Sequence, residues 1–207
     1  MLIDPYINHP VNASERRLVK CPVKEKDLKG TNLILITHEH FDHFDKKAVK
    51  TLAEKENAVV IGHHSVLNEL DIPQRLKRPI ERNKSVSFNS ITARAVDVHH
   101  PTAFYPLGYE ISCNGTKIFH AGDTDMNMAF NQIKANVLLL PIGGKTTMDC
   151  VDAVKAVKTI KPDFAIPMHY NTFEHIKVNP DEFVEKIEKS ILKTKPVILK
   201  PGQEFNF

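Results

Sequence analysis

LILITHEHFDHFD, Leu33 to Asp45, sets an apolar run directly against a cluster of ligand-type side chains. Leu33-Ile34-Leu35-Ile36 reads as a buried strand. Three histidines and two aspartates follow within Thr37–Asp45. If the chain leaves the strand extended, His38 and His40 point to the same side, because strand side chains alternate with period two. Two imidazoles so placed can grip one cation. Asp42 and His43 come next as the chain turns, and can reach a second. Imidazole with carboxylate suits zinc, and also manganese or iron. Capping of the next helix accounts for Asp45, but not for the H-x-H-x-D-H spacing before it.

Working outward, short apolar runs alternate with longer amphipathic stretches. Val59–Ile61, Ile91–Val98, Lys117–His120, Val137–Leu140, Phe164–Ile166 and Pro196–Leu199 read as strands. Gly108–Ser112 and Thr116–Phe119 flank Asn114-Gly115, a hairpin signal. Helices are expected over Asp45–Glu56, Asp149–Ile160 and Pro180–Leu192. In the second, Cys150, Ala153, Val154, Val157 and Ile160 form one stripe, and Pro162 enforces the stop. The class is α/β, with mixed sheets and helices outside. Ligand-type residues run from position 38 to 169, so one domain over 1–207 is expected rather than two.

Composition narrows the function. The 207 residues are 42% hydrophobic and 26% charged, with a net charge of +3. That balance is too weakly basic to argue for nucleic acid, and is compatible with a small anionic substrate. No apolar run approaches ~20 residues, so no membrane span is expected. The N-terminus lacks a basic segment followed by an apolar one, as a signal peptide requires. Cys21, Cys113 and Cys150 form no C-x-x-C pair, and their number is odd. A reducing, cytoplasmic setting is the expectation.

Five ordered segments resemble the metallo-β-lactamase superfamily: Leu2-Ile3-Asp4-Pro5, THEHFDH, VDVHHP around His99, FHAGDT ending at Thr124, and IPMHYNT, Ile166–Thr172. LPIGGKTTM, Leu140–Met148, resembles the branch that includes L-ascorbate-6-phosphate lactonase. The resemblance implies a four-layer αββα sandwich of two mixed β-sheets flanked by helices. It also implies two divalent ions, zinc foremost, with manganese or iron as alternatives. Carried over by position, His38, His40 and His99 would hold the first ion, and Asp42, His43 and His169 the second. Asp123 would bridge them. Relatives usually carry a hairpin before the first motif, which this chain lacks. The Leu2–Asp4 segment is then expected near a sheet edge, which leaves self-association open.

His99 and His100 are adjacent and face opposite ways on a strand. The motif gives the ligand place to His99 and leaves His100 for substrate. Lys145 and Asn171 are further substrate candidates. His120 is expected as a satisfied interior histidine, and His63 as a loop or cap residue. The expected chemistry is hydrolysis of a small anionic ester, lactone or phosphoester by a hydroxide shared between the ions, with Asp42 handling the proton. A nuclease of the same fold and a non-catalytic metal- or partner-binding protein are the alternatives.

Overall fold

In a computed structural model, which describes residues 1–10, 13 and 15–207, Leu33–Ile36 are wholly buried. The chain divides into two units. One comprises Met1–Glu81 with Ala103–Tyr105, the other Arg82–Thr102 with Pro106–Phe207.

The first unit is built on a four-stranded sheet. In chain order its elements are β1 (Leu2–Ile3), β2 (Leu33–Leu35), α1 (Lys46–Glu56), β3 (Val59–Gly62), α2 (His64–Leu67) and β4 (Lys77–Pro79). The strands lie in the order β1-β2-β3-β4. Every pairing is parallel, with Leu2 opposite Ile34, Leu33 opposite Val59 and Val60 opposite Lys77. This sheet is therefore parallel throughout rather than mixed. Each strand reaches the next by a crossover, and α1 supplies the one between β2 and β3. Asp45 caps α1, its Oδ1 accepting the Ala48 N–H at 3.0 Å. Asn57, in the left-handed region at φ 59°, ends the helix. Ala48, Val49, Leu52 and Ala53 recur at helical spacing and are buried. Val49, Leu52 and Ala53 pack with Ile34, Ile36, Val60 and Leu67 in this unit's core.

The second unit carries the mixed sheet. Its elements are β5 (Ser85–Phe88), β6 (Ile91–Asp97), β7 (Leu107–Cys113), β8 (Thr116–His120), β9 (Val137–Pro141), α3 (Cys150–Ile160), β10 (Phe164–Met168), α4 (Asp181–Glu188) and β11 (Lys195–Pro196). The order is β11-β10-β9-β8-β7-β6-β5. Strands β5 to β8 pair antiparallel, and β8 to β11 parallel. The β7–β8 hairpin turns on Asn114 (φ 49°) and Gly115 (φ 83°), as a primed turn requires. Asp149 caps α3 by accepting the Val151 and Asp152 N–H groups. The expected stripe of α3 is buried in full.

Two expectations at the C-terminal end were too long. Helix α4 stops at Glu188, because Ser190 N–H turns to the Ile187 carbonyl (2.9 Å) and the Ser190 hydroxyl bonds the same oxygen (2.5 Å). Phe183 and Ile187 are buried, but Ile191, which shares their spacing, is exposed. Of the strand expected at Pro196–Leu199, Pro196, with Lys195 before it, is paired, and the Val197 N–H adds a last bond to the Ala165 carbonyl at 2.9 Å. Among the described residues, no helix is long and apolar enough to cross a membrane.

Candidate metal centre

In the first unit, the parallel register of β1 on β2 places Asp4 beside the end of the buried strand. The Asp4 N–H donates to the Leu35 carbonyl at 3.0 Å. Its Oδ1 accepts the Thr37 N–H at 2.7 Å, and its Oδ2 the Thr37 hydroxyl at 2.6 Å. Beyond Thr37 the chain folds back: the His43 and Phe44 N–H groups both donate to the His40 carbonyl. That turn brings the His43 ring to 4.2 Å from the His38 ring, while His40 lies 4.5 Å from His38. Asp42 Oδ2 is 3.8 Å from His43 Nε2. His38, His40, Asp42 and His43 thus form one cluster at the strand end.

The hydrogen bonds fix which ring nitrogens can ligate. A carboxylate only accepts, so His43 Nδ1, 2.8 Å from Asp4 Oδ2, donates. The Thr37 hydroxyl donates to Asp4, so at 2.9 Å from His38 Nδ1 it accepts from that nitrogen. Both imidazoles therefore carry the proton on Nδ1 and turn Nε2 outward as the basic atom. A neutral histidine that ligates through Nε2 carries its proton in this way.

The second unit places its ligand-type residues at the ends of β6, β8 and β10. Asp123 follows the β8 end through Gly122, at φ 63°, and is buried. His169 follows β10 with φ 54°, and its Nε2 lies 3.1 Å from Asp123 Oδ2. Gly143 admits that turn, since a Cβ there would stand 2.4 Å from the His169 carbonyl oxygen. His100 is buried, and its Nδ1 lies 3.0 Å from the Thr146 carbonyl, which can only accept. Its Nε2, which accepts from the Thr102 hydroxyl at 3.2 Å, lies 3.7 Å from Asp123 Oδ2.

His99 is placed differently. Its side chain is 64% exposed and turned to Asp125 at 3.3 Å. The structure thus sets His100, and not His99, beside Asp123. The strand pattern carried this signal, for Val96, Val98 and His100 alternate and are all buried.

The substrate candidates also separate. Lys145 is exposed at φ 65°. The Asn171 amide is consumed by its own loop, donating to the Val178 carbonyl at 3.0 Å and accepting the Val178 N–H at 2.9 Å. It is a loop clamp. His120 Nδ1 accepts the Gly122 N–H, and His63 Nδ1 accepts the Ser65 N–H at the start of α2. Both carry the tautomer opposite to that of His38 and His43, as structural histidines should. Sequence reading missed Asp4 as a hub. Its motif was noted, but no local pattern shows that it reaches Thr37 and His43.

Residues 1–170 match a beta-lactamase superfamily domain. The chain is 32% identical to a UPF0173 metal-dependent hydrolase of Aeropyrum pernix, over 100% of this chain and 90% of that one. It is 37% identical to the Staphylothermus marinus counterpart, over 100% and 89%. Among solved structures it is similar to Igni18, a metallo hydrolase from Ignicoccus hospitalis, with TM-score 0.82 and 27% identity over 99% of this chain and 91% of that one. With its two sheets and flanking helices, the chain has the metallo-β-lactamase fold and belongs to the UPF0173 metal-dependent hydrolases of that superfamily.

Proposed function

We propose that this chain hydrolyses a small anionic ester, lactone or phosphoester with two divalent ions. The observation that carries this reading is the shared tautomer. His38, His43 and His100 each donate Nδ1–H to an acceptor, which leaves Nε2 as the basic atom of each ring. Five imidazoles and two carboxylates make a donor set that zinc accepts, and manganese or iron as alternatives.

In this reading His38, His40 and His100 hold one ion, His100 taking the place that the motif gave to His99. Asp42, His43 and His169 would hold the other, and Asp123 would serve as a further carboxylate ligand. Residues 1–207 are read as one domain. When bound, the ions would supply Lewis acidity at the scissile bond and lower the pKa of an attacking water. Asp42 would take the proton from that water and return it to the leaving oxygen. Asp4, Thr37 and the Thr146 carbonyl hold the imidazoles in orientation. Lys145 offers its ammonium to an anionic group of the substrate. The LPIGGKTTM segment favours lactones within the substrate class. Three free thiols suit a cytoplasmic setting.

The test is elemental analysis of protein purified without chelator, beside hydrolysis of chromogenic esters, lactones and phosphodiesters. About two ions per chain and turnover of one substrate class are expected. In Asp123→Ala, metal content should fall to one ion or none, and turnover should vanish. Retention of two ions and activity by that variant would reject the assignment.

A further inference from the structure

Phe104 is 75% exposed, yet it is tied down on both sides. Its own N–H donates to Glu39 Oε1 at 2.6 Å. The next ring along, Tyr105, stacks on His63 at 3.7 Å between centroids and 10° between planes. His63 is itself fixed, accepting the Ser65 N–H at 3.2 Å with the Ser65 hydroxyl 2.9 Å away. A single exposed aromatic on a surface needs no explanation. A charge-assisted hydrogen bond and a ring stack holding one in place do, because ordering a loop costs conformational entropy.

The anchor of this clamp is the informative part. Glu39 stands between His38 and His40 in the ligand segment. The clamp therefore ties the Phe104 backbone to the residue that stands between two proposed ligands. Phe41, the other exposed aromatic of this segment, already packs edge-on against Tyr6 and His9 at 6.1 and 6.3 Å. Phe104 meets only the His63 ring, 6.3 Å away between centroids, among the ring contacts of the described residues, and most of its surface stays exposed. A rigid apolar surface beside a hydrolytic centre can bind the part of a substrate that does not react.

We propose that Phe104 is a specificity-determining residue that contacts an apolar acyl or alkyl group of the substrate. The inference rests on the hydrolase reading above and narrows it to amphiphilic esters, lactones or phosphoesters. Glu39 and the His63–Tyr105 stack are positioning residues for that contact.

The experiment uses 4-nitrophenyl esters from acetate to hexanoate, with the metal-loaded full chain. One ring covers one side of an acyl chain, so kcat/KM should rise about twofold per added methylene, and about 16-fold over the series. In Phe104→Ala the profile should flatten to within about twofold, through a higher KM for the longer esters. Phe104→Leu should keep most of the slope. Equal slopes in wild type and Phe104→Ala, or a flat wild-type profile, overturn the inference and leave the hydrolase reading standing. A second readout needs no turnover: calorimetric binding of hexanoate. Binding weakened about fivefold or more by Phe104→Ala supports the contact even if no ester is cleaved. With no cleavage, unchanged or absent hexanoate binding overturns it. Failure to hydrolyse any ester, lactone or phosphoester separately refutes the hydrolase reading.

Discussion

Replacing Asp4 by asparagine keeps the shape of the hub and reverses its hydrogen bonding. The backbone should tolerate the change, since Asp4 sits at φ 45° and asparagine enters that region readily. Asparagine Oδ1 can still accept the Thr37 N–H. Its NH2 group replaces the oxygen that faces the Thr37 hydroxyl at 2.6 Å and His43 Nδ1 at 2.8 Å. Two donors cannot face each other, so His43 must accept at Nδ1 and move its proton to Nε2. Thr37, now accepting from the amide, donates to His38 Nδ1 and reverses that ring too. Two charge-assisted hydrogen bonds become neutral ones, a loss of about 1 kcal/mol each, or about 2 kcal/mol of stability. Losing the partner that orients a histidine ligand costs roughly 10- to 100-fold in metal affinity. Competition with a chromophoric chelator measures the affinity, and urea melts of metal-free protein measure the stability. Metal affinity within about twofold of wild type in Asp4→Asn would refute the tautomer argument. Thr37→Val isolates the relay to His38, and should weaken metal binding while leaving the Asp4–His43 bond intact.

Three further outcomes are expected. His100→Ala should lose bound metal, whereas His99→Ala should retain it; elemental analysis of the pair decides which histidine is the ligand. Gly143→Ala should destabilise the fold by about 2 kcal/mol or more in urea melts, because the new methyl meets the His169 backbone at 2.4 Å and must displace it. Burial, then Glu182 and Asp149, push the Cys150 thiol up to about 11 from an ordinary 9.0. Native Cys150 should therefore react with iodoacetamide more slowly at pH 9 than in the unfolded chain. Its contribution to stability should be intact below pH 9 and lost as pH rises through about 11, because the unfolded chain releases the proton first.

Much of this architecture was legible because local chemistry agreed with the global fold. Leu33–Ile36 reads as a covered strand and is one. Asp45 and Asp149 announce the starts of α1 and α3, and Asn114-Gly115 announces the β7–β8 turn. Elements with weak local signals were lost. Strands β4 and β5 have no long apolar run, and α2 is a single turn capped by a histidine. Ile191 misled because helical spacing cannot show where Ser190 diverts the backbone. At the site, the spacing of THEHFDH marked out the side chains that the fold clusters at the strand end. The choice between His99 and His100 was not settled by motif fit, although the alternation of Val96 and Val98 pointed to His100. Asn171 looked available for substrate because its use within its own loop depends on tertiary geometry. Asp4 acts across a parallel pairing some thirty residues long in sequence, which no window of local pattern spans.

The two-residue strand β1 contributes little ladder of its own, yet its register decides whether Asp4 meets Thr37. A slip by one residue would turn Asp4 to the other face of the sheet. Chains that mispair there would keep most of their apolar core but leave His38 and His43 without their orienting partner. Metal uptake would then act as a proofreading step. Because an ion that binds only the correctly registered chain stabilises it by mass action, loading would draw the population out of the mispaired state.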